Sequence, residues 1–107
     1  MNILSIDLED WFHILAHEET AQPHQWEKFE SRVERNTEWI LEQLSIADQR
    51  ATFFCLGWIA KRNRNLIRRI VDSGHEVACH SMNHRLVYKQ TPAEFKEDLS
   101  ACIRLLE

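Results

Sequence analysis

The sequence lacks most of the marks that would assign it quickly to a class. Its 107 residues include three cysteines, Cys55, Cys79 and Cys102, and no CxxC pair. An odd count without paired spacing argues against a disulfide framework and a cysteine-ligated zinc site. The thiols are expected as small buried hydrophobes in a reducing compartment. Basic residues are not in surplus: 13 Lys and Arg stand against 17 Asp and Glu, a formal charge of −4. Nucleic-acid binders usually carry the opposite balance, so no nucleic-acid partner is expected. The locally basic KRNRNLIRR, 61–69, is interleaved with apolar residues and reads as a solvated helix face. No apolar run approaches the roughly 18 residues of a membrane span. The N-terminal MNILSIDLEDWF has no basic leader and meets acid by residue 7, unlike a signal peptide. A cytoplasmic location is therefore expected. There is no internal repeat, and only two glycines and two prolines punctuate the chain.

What is present is one small domain's worth of alternating apolar segments, with 44% hydrophobic residues. NILSI, 2–6, stops at Asp7 and suits a buried strand. Residues 8–30, rich in Trp, His and Glu, read as a long loop with short helical pieces, a length often kept for function. Ser31 and Glu34 have capping-box spacing. Val33, Thr37, Ile40 and Leu44 then form the inward stripe of a helix over about 32–46. ATFFCLG, 51–57, is a second buried strand. A helix over about 59–73 follows, inward at Ile59, Leu66, Ile67, Ile70 and Val71, and Gly74 suits the left-handed position that ends it. HEVAC, 75–79, is a third strand. Thr91, Pro92 and Glu94 start a last helix running to the terminus, with Phe95, Leu99, Cys102 and Leu106 inward.

Buried strands alternating with helices predict an α/β fold with parallel strands and right-handed crossovers. Parallel strands end on one face, and that face carries the active site in barrels and open sheets alike. DLED, with Asp7, Glu9 and Asp10, closes the first strand; HSMNH, with His80 and His84, follows the third. Two imidazoles and a carboxylate are a common ligand set for a divalent ion held for hydrolysis, and further carboxylates there offer a general base. His13, His17 and His24 lie in the acidic loop and are expected to be solvated or to face substrate. His75 is expected to hydrogen-bond backbone. Trp11, Phe12 and Trp58 flank the mouth; aromatic walls suit a sugar ring, and core packing is the competing reason for them.

The stretch ATFFCLGWIAKR, with LIRRIVDSGHEVACHSMNH after it, resembles the polysaccharide deacetylases, also called carbohydrate esterase family 4 or nodulation-type deacetylases. Their histidine motif is H-[ST]-x-x-H, preceded by G-H-E-[IV]. Their first motif is usually T-F-D-D-G. SIDLEDWFH departs from that form and is similar to the D-x-E-D-W-F variant of a subgroup associated with bacterial exopolysaccharide and exosortase loci; RLVYKQTPAEFKEDL strengthens this likeness.

The resemblance implies a distorted (β/α) barrel and metal-dependent hydrolysis of N-acetyl groups on a polysaccharide. By it, Asp7 matches the general base, His80 and His84 match metal ligands, and the metal, expected to be zinc, takes its carboxylate from Glu9 or Asp10. Ser81 is expected to support the loop by hydrogen bonding, and Trp11 and Phe12 to contact the sugar. The family's general acid is a histidine of a later motif, with a later arginine and aspartate orienting the base, and none of these is matched here. Barrels of this kind need about 200 residues or more. Residues 1–107 are therefore expected to be the first three β/α units of the catalytic domain, weakly active at most alone. A hydrolase of the same fold acting on a cyclic or other non-peptide amide, and a non-catalytic α/β module, are the alternatives.

Overall fold

Three parallel strands alternate with four helices in the computed structural model, which describes residues 1–107. The strands are β1 (Ser5–Leu8), β2 (Thr52–Cys55) and β3 (Glu76–Cys79). They pair in the order β1-β2-β3, with Leu8 beside Cys55 and Cys55 beside Cys79. The helices are α1 (Val33–Ile46), α2 (Gly57–Arg62), α3 (Arg64–Asp72) and α4 (Pro92–Leu106). Alternation and parallel pairing are as the sequence predicts, and His80 directly follows β3 as expected. No helix is long and apolar enough to cross a membrane.

The core lies where the sheet meets α1, α2 and α3. Leu8, Phe53, Cys55, Leu56, Ile59, Leu66 and Ile70 are almost wholly buried there, and truncating one of the larger ones to Ala would cost about 2–5 kcal/mol. The long loop after β1 adds Phe12, His13 and Trp26 to this core, the last from a short 3-10 helix at Pro23–Lys28.

Local details depart from expectation for identifiable reasons. β1 is displaced toward the C-terminus, so Asp7 lies inside it and not at its end. The register puts Leu8 into the core, while Ile3 and Leu4 stay exposed. The Ser31–Glu34 capping box does not form; the carboxylate of Asp10 takes its place at the start of α1. The helix expected over 59–73 is broken at Asn63, whose φ of −130° and ψ of 51° are not helical. Its backbone N–H and side-chain amide both donate to the Ile59 carbonyl, at 2.8 and 3.1 Å, which is how Asn competes with helix continuation. The break turns Val71 outward, and it is half exposed.

At Gly74 the φ of +89° is the left-handed ending expected of that helix. The capping box of α4 forms as read, with Glu94 N–H donating to Thr91 Oγ1 and Thr91 N–H to Glu94 Oε2. Only Cys102 of the α4 stripe is buried; Phe95 is exposed, because α4 rests on β3 and α2 by one side of its surface.

Candidate metal centre

Glu9, His80 and His84 converge at the C-terminal ends of β1 and β3. One ligating atom from each lies within 4.8 Å of the others. Glu9 Oε2 stands 3.4 Å from His84 Nε2 and 3.6 Å from His80 Nε2, and Asp7 Oδ2 is 3.9 Å from His80 Nε2. The Glu9 contacts are too long for good hydrogen bonds, and Glu9 Oε2 and His80 Nε2 are buried atoms without any partner. Donors about 2 Å from one tetrahedral ion would stand about 3.3 Å apart. Buried polar atoms otherwise find partners, so this donor set fits a divalent cation.

Each ligand is held from behind. His80 follows β3 directly, and its N–H continues the ladder to Cys55 O at 3.0 Å. His84 Nδ1 lies 2.8 Å from the carbonyl oxygen of His13. A carbonyl only accepts, so Nδ1 carries the proton and Nε2 keeps its lone pair toward Glu9. Ser81 and His84 both adopt a φ of 59°, uncommon for residues with a side chain, and the loop needs support to hold it. Ser81 supplies part of that support, as expected, its Oγ accepting the His84 N–H at 3.0 Å.

The remaining support comes from α2 and α4, far from the loop in sequence. The first N–H groups of α2, at Gly57 and Trp58, donate to the Ser81 and Met82 carbonyls, both at 2.9 Å. These are groups a helix start otherwise leaves unsatisfied. A Cβ on Gly57 would collide with Met82 Sδ and lie 3.0 Å from Met82 Cα, so glycine is what lets the loop sit on the helix. From the other side, Asp98 on α4 accepts the Met82 N–H at 2.9 Å. Gly57 stands out as one of two glycines; nothing in the spacing of Asp98 points to the loop.

The two acids left open as the third ligand are separated. Asp10 is turned to α1, where Oδ2 accepts from Ser31 Oγ at 2.6 Å and from the N–H groups of Arg32 and Val33 at 3.0 and 3.2 Å. It is buried in that role and outside the converging group, so the placement corrects Asp10 as a metal ligand. Phe12 is fully buried and packs on Phe29 and Trp58, which corrects its expected sugar contact. Trp11 is partly exposed and lines a cavity of about 200 Å³ with Asp7 and Glu9. A second cavity, of about 390 Å³, adjoins His80 and His84 between the loop and α4. Asp7 is more than half exposed, its carboxylate open to solvent beside the centre.

Of the other histidines, His13 is not solvated but buried, and burial lowers its pKa from 6.5 to about 4, with Asp10 opposing and His84 and Arg62 adding to the fall. His75 accepts the Ala51 N–H at 3.1 Å, the backbone role expected of it. The three thiols are free, and burial pushes Cys55 and Cys102 up to about 12, far from thiolate chemistry.

The sequence profile of the polysaccharide deacetylase family matches residues 17–107, which include both histidines; Asp7, Glu9 and Asp10 lie before the matched stretch. A chitooligosaccharide deacetylase of Sinorhizobium fredii is 48% identical over 54 residues, 50% of this chain and 20% of that protein. A peptidoglycan-N-acetylglucosamine deacetylase of Bacillus cereus is 30% identical over 63 residues, 59% of this chain and 30% of the relative. Among solved structures, a CE4 family pseudoenzyme from Bacillus anthracis superposes with a TM-score of 0.73 at 26% identity, over 98% of this chain and 30% of that one. The chain thus spans 20–30% of the length of these three proteins.

Proposed function

We propose that this chain, which belongs to the polysaccharide deacetylase family, carries the metal-binding half of a hydrolase centre that removes N-acetyl groups from a polysaccharide. The observation that carries this reading is the meeting of Glu9, His80 and His84 around two buried atoms that lack partners. His80 and His84 would present Nε2, and Glu9 one carboxylate oxygen, to zinc or a similar divalent ion. When bound, such an ion supplies Lewis-acid chemistry at the amide carbonyl and the attacking water. Asp7, open to solvent beside the centre, would take the proton from the attacking water. Trp11, on the wall shared with Asp7 and Glu9, would meet the sugar ring. The departing amine needs a proton donor beyond these residues, so the 107 residues alone are expected to be weakly active at most.

A second reading keeps the site but not the reaction. The fold also hosts a protein described as a pseudoenzyme, so metal binding and catalysis have to be tested separately. Zinc or cobalt titrated into the wild-type chain should bind at one site, and His80→Ala and His84→Ala should each abolish it. Equal binding by wild type and variants would sink the metal reading. Hydrolysis of an N-acetylglucosamine oligomer, followed by free amine, tests the reaction in residues 1–107. Robust turnover by residues 1–107 would refute the missing proton donor.

A further inference from the structure

His13 has two jobs for which the proposed mechanism has no use. Its carbonyl oxygen accepts the Nδ1 proton of His84, across 71 residues of sequence. Its imidazole faces the other way, into the core, only 1% exposed. There the ring is boxed edge-on by Trp26 and Trp58, with centroids 4.4 and 5.0 Å away, and Phe12 lies against it at 4.5 Å. A phenyl or isobutyl group would fill such a box without the desolvation cost of an imidazole. That cost is visible: His13 Nε2 is buried without a partner.

What the imidazole adds is an acceptor. Asp10 N–H donates to His13 Nδ1 at 2.7 Å, and His13 N–H donates back to the Asp10 carbonyl at 3.2 Å. The turn from Asp10 to His13 is therefore closed from both ends. Its first residue is pinned to the start of α1 through the Asp10 carboxylate, and its last is pinned in the aromatic box. A backbone N–H can only donate, so Nδ1 is the acceptor of the ring, its lone pair turned to the Asp10 N–H.

We infer that His13 is a positioning residue for His84: its ring locks the Asp10–His13 turn so that its own carbonyl holds His84 in the Nδ1–H tautomer, with Nε2 directed at the metal position. The inference rests on the metal reading above. It places the lock in the first-motif loop, where the chain departs from the usual family form, and joins that loop to the histidine motif.

Nitrogen-15 NMR of the metal-free full chain reads the His84 tautomer directly, and cobalt titration reads the consequence. The wild type should show His84 protonated at Nδ1. His13→Leu, which keeps the apolar fill and loses the acceptor, should give a mixed tautomer and weaken cobalt binding about 10- to 100-fold, as loss of an outer-shell partner does. His13→Gln, whose amide oxygen can take the Asp10 N–H as in a capping box, should restore both. An Nε2–H tautomer in the wild type would overturn the inference without any variant. So would a folded His13→Leu with unchanged tautomer and affinity. If His13→Leu does not fold, His13→Gln decides: wild-type tautomer and affinity support the lock, and loss of both in a folded protein removes it. Failure of cobalt to bind the wild type counts against the metal reading; unchanged binding in folded His13→Leu counts against this one alone.

Discussion

Glu9 and Asp10 share a peptide bond and face different parts of the molecule. Glu9 Oε2 lies 3.4 Å from His84 Nε2 at the candidate centre, while Asp10 Oδ2 lies 2.6 Å from Ser31 Oγ at the start of α1. The two neighbours should therefore fail in different ways. Glu9→Gln is expected to weaken cobalt binding by more than about 100-fold, beyond the usual cost of an outer-shell change, and to leave the urea midpoint of the metal-free protein near wild type. Asp10→Ala removes a helix cap and strands buried N–H groups, so it should lower stability by about 1–3 kcal/mol. A large stability loss in Glu9→Gln, or none in Asp10→Ala, would contradict this division.

Gly57 is expected to tolerate no side chain. The methyl of Gly57→Ala would meet Met82 Sδ and press on Met82 Cα, where backbone has to move. Overpacking of this kind costs about 1–3 kcal/mol. Because Met82 lies between His80 and His84, the same change should weaken metal binding even in the folded fraction. Wild-type cobalt affinity in Gly57→Ala would show that the loop is not held by α2.

Acid should destabilise the metal-free protein well above the carboxylate range. Burial lowers the His13 pKa from 6.5 to about 4 in the fold, and His75 is also lowered, first by its own burial. Between about pH 6.5 and pH 4 the unfolded chain binds the proton that folded His13 refuses, so stability falls as pH falls. The His13 share is about 3 kcal/mol, complete above pH 6.5 and lost by about pH 4. Denaturation midpoints across this range should show the slope, and His13→Gln should flatten it. A flat wild-type profile would contradict the buried neutral imidazole.

Thr91→Ala offers a change remote from the metal ligands. Losing the hydroxyl that receives the Glu94 N–H should cost about 1 kcal/mol in thermal or urea unfolding. The Glu94 carboxyl sits below its ordinary range, chiefly through the Thr91 backbone N–H and then through Arg85, so this end of α4 should loosen further when that carboxyl is protonated. Cobalt affinity is expected to stay at the wild-type value. A large affinity change would mean that α4 positions the loop through more than Asp98.

Periodicity and spacing made most of the fold legible. Thr91, Pro92 and Glu94 gave the start of α4, Gly74 the turn into β3, and the Val33–Leu44 stripe the buried side of α1. These are local signals, each readable within one short segment of chain. One error falls where a distant group outcompetes a local one, and another is itself local. Ser31 and Glu34 have the right spacing, yet a carboxylate 23 residues before Val33 takes the cap. Asn63 ends a helix that its neighbours would continue, by bonding back to Ile59.

The candidate centre divides along the same line. The sequence by itself determined that two histidines four apart and a cluster of acids would sit at the ends of parallel strands, because strand direction follows from alternation with helices. Only the tertiary structure decided that Glu9 and not Asp10 joins His80 and His84, that Phe12 and His13 turn into the core, and that Gly57 makes room for the loop. Each of those outcomes depends on groups that meet across the fold, Glu9 with His80 and His84, His13 with Trp58, and Gly57 with Met82. Hydrogen bonds and burial select among them only when the packed core has fixed the distances.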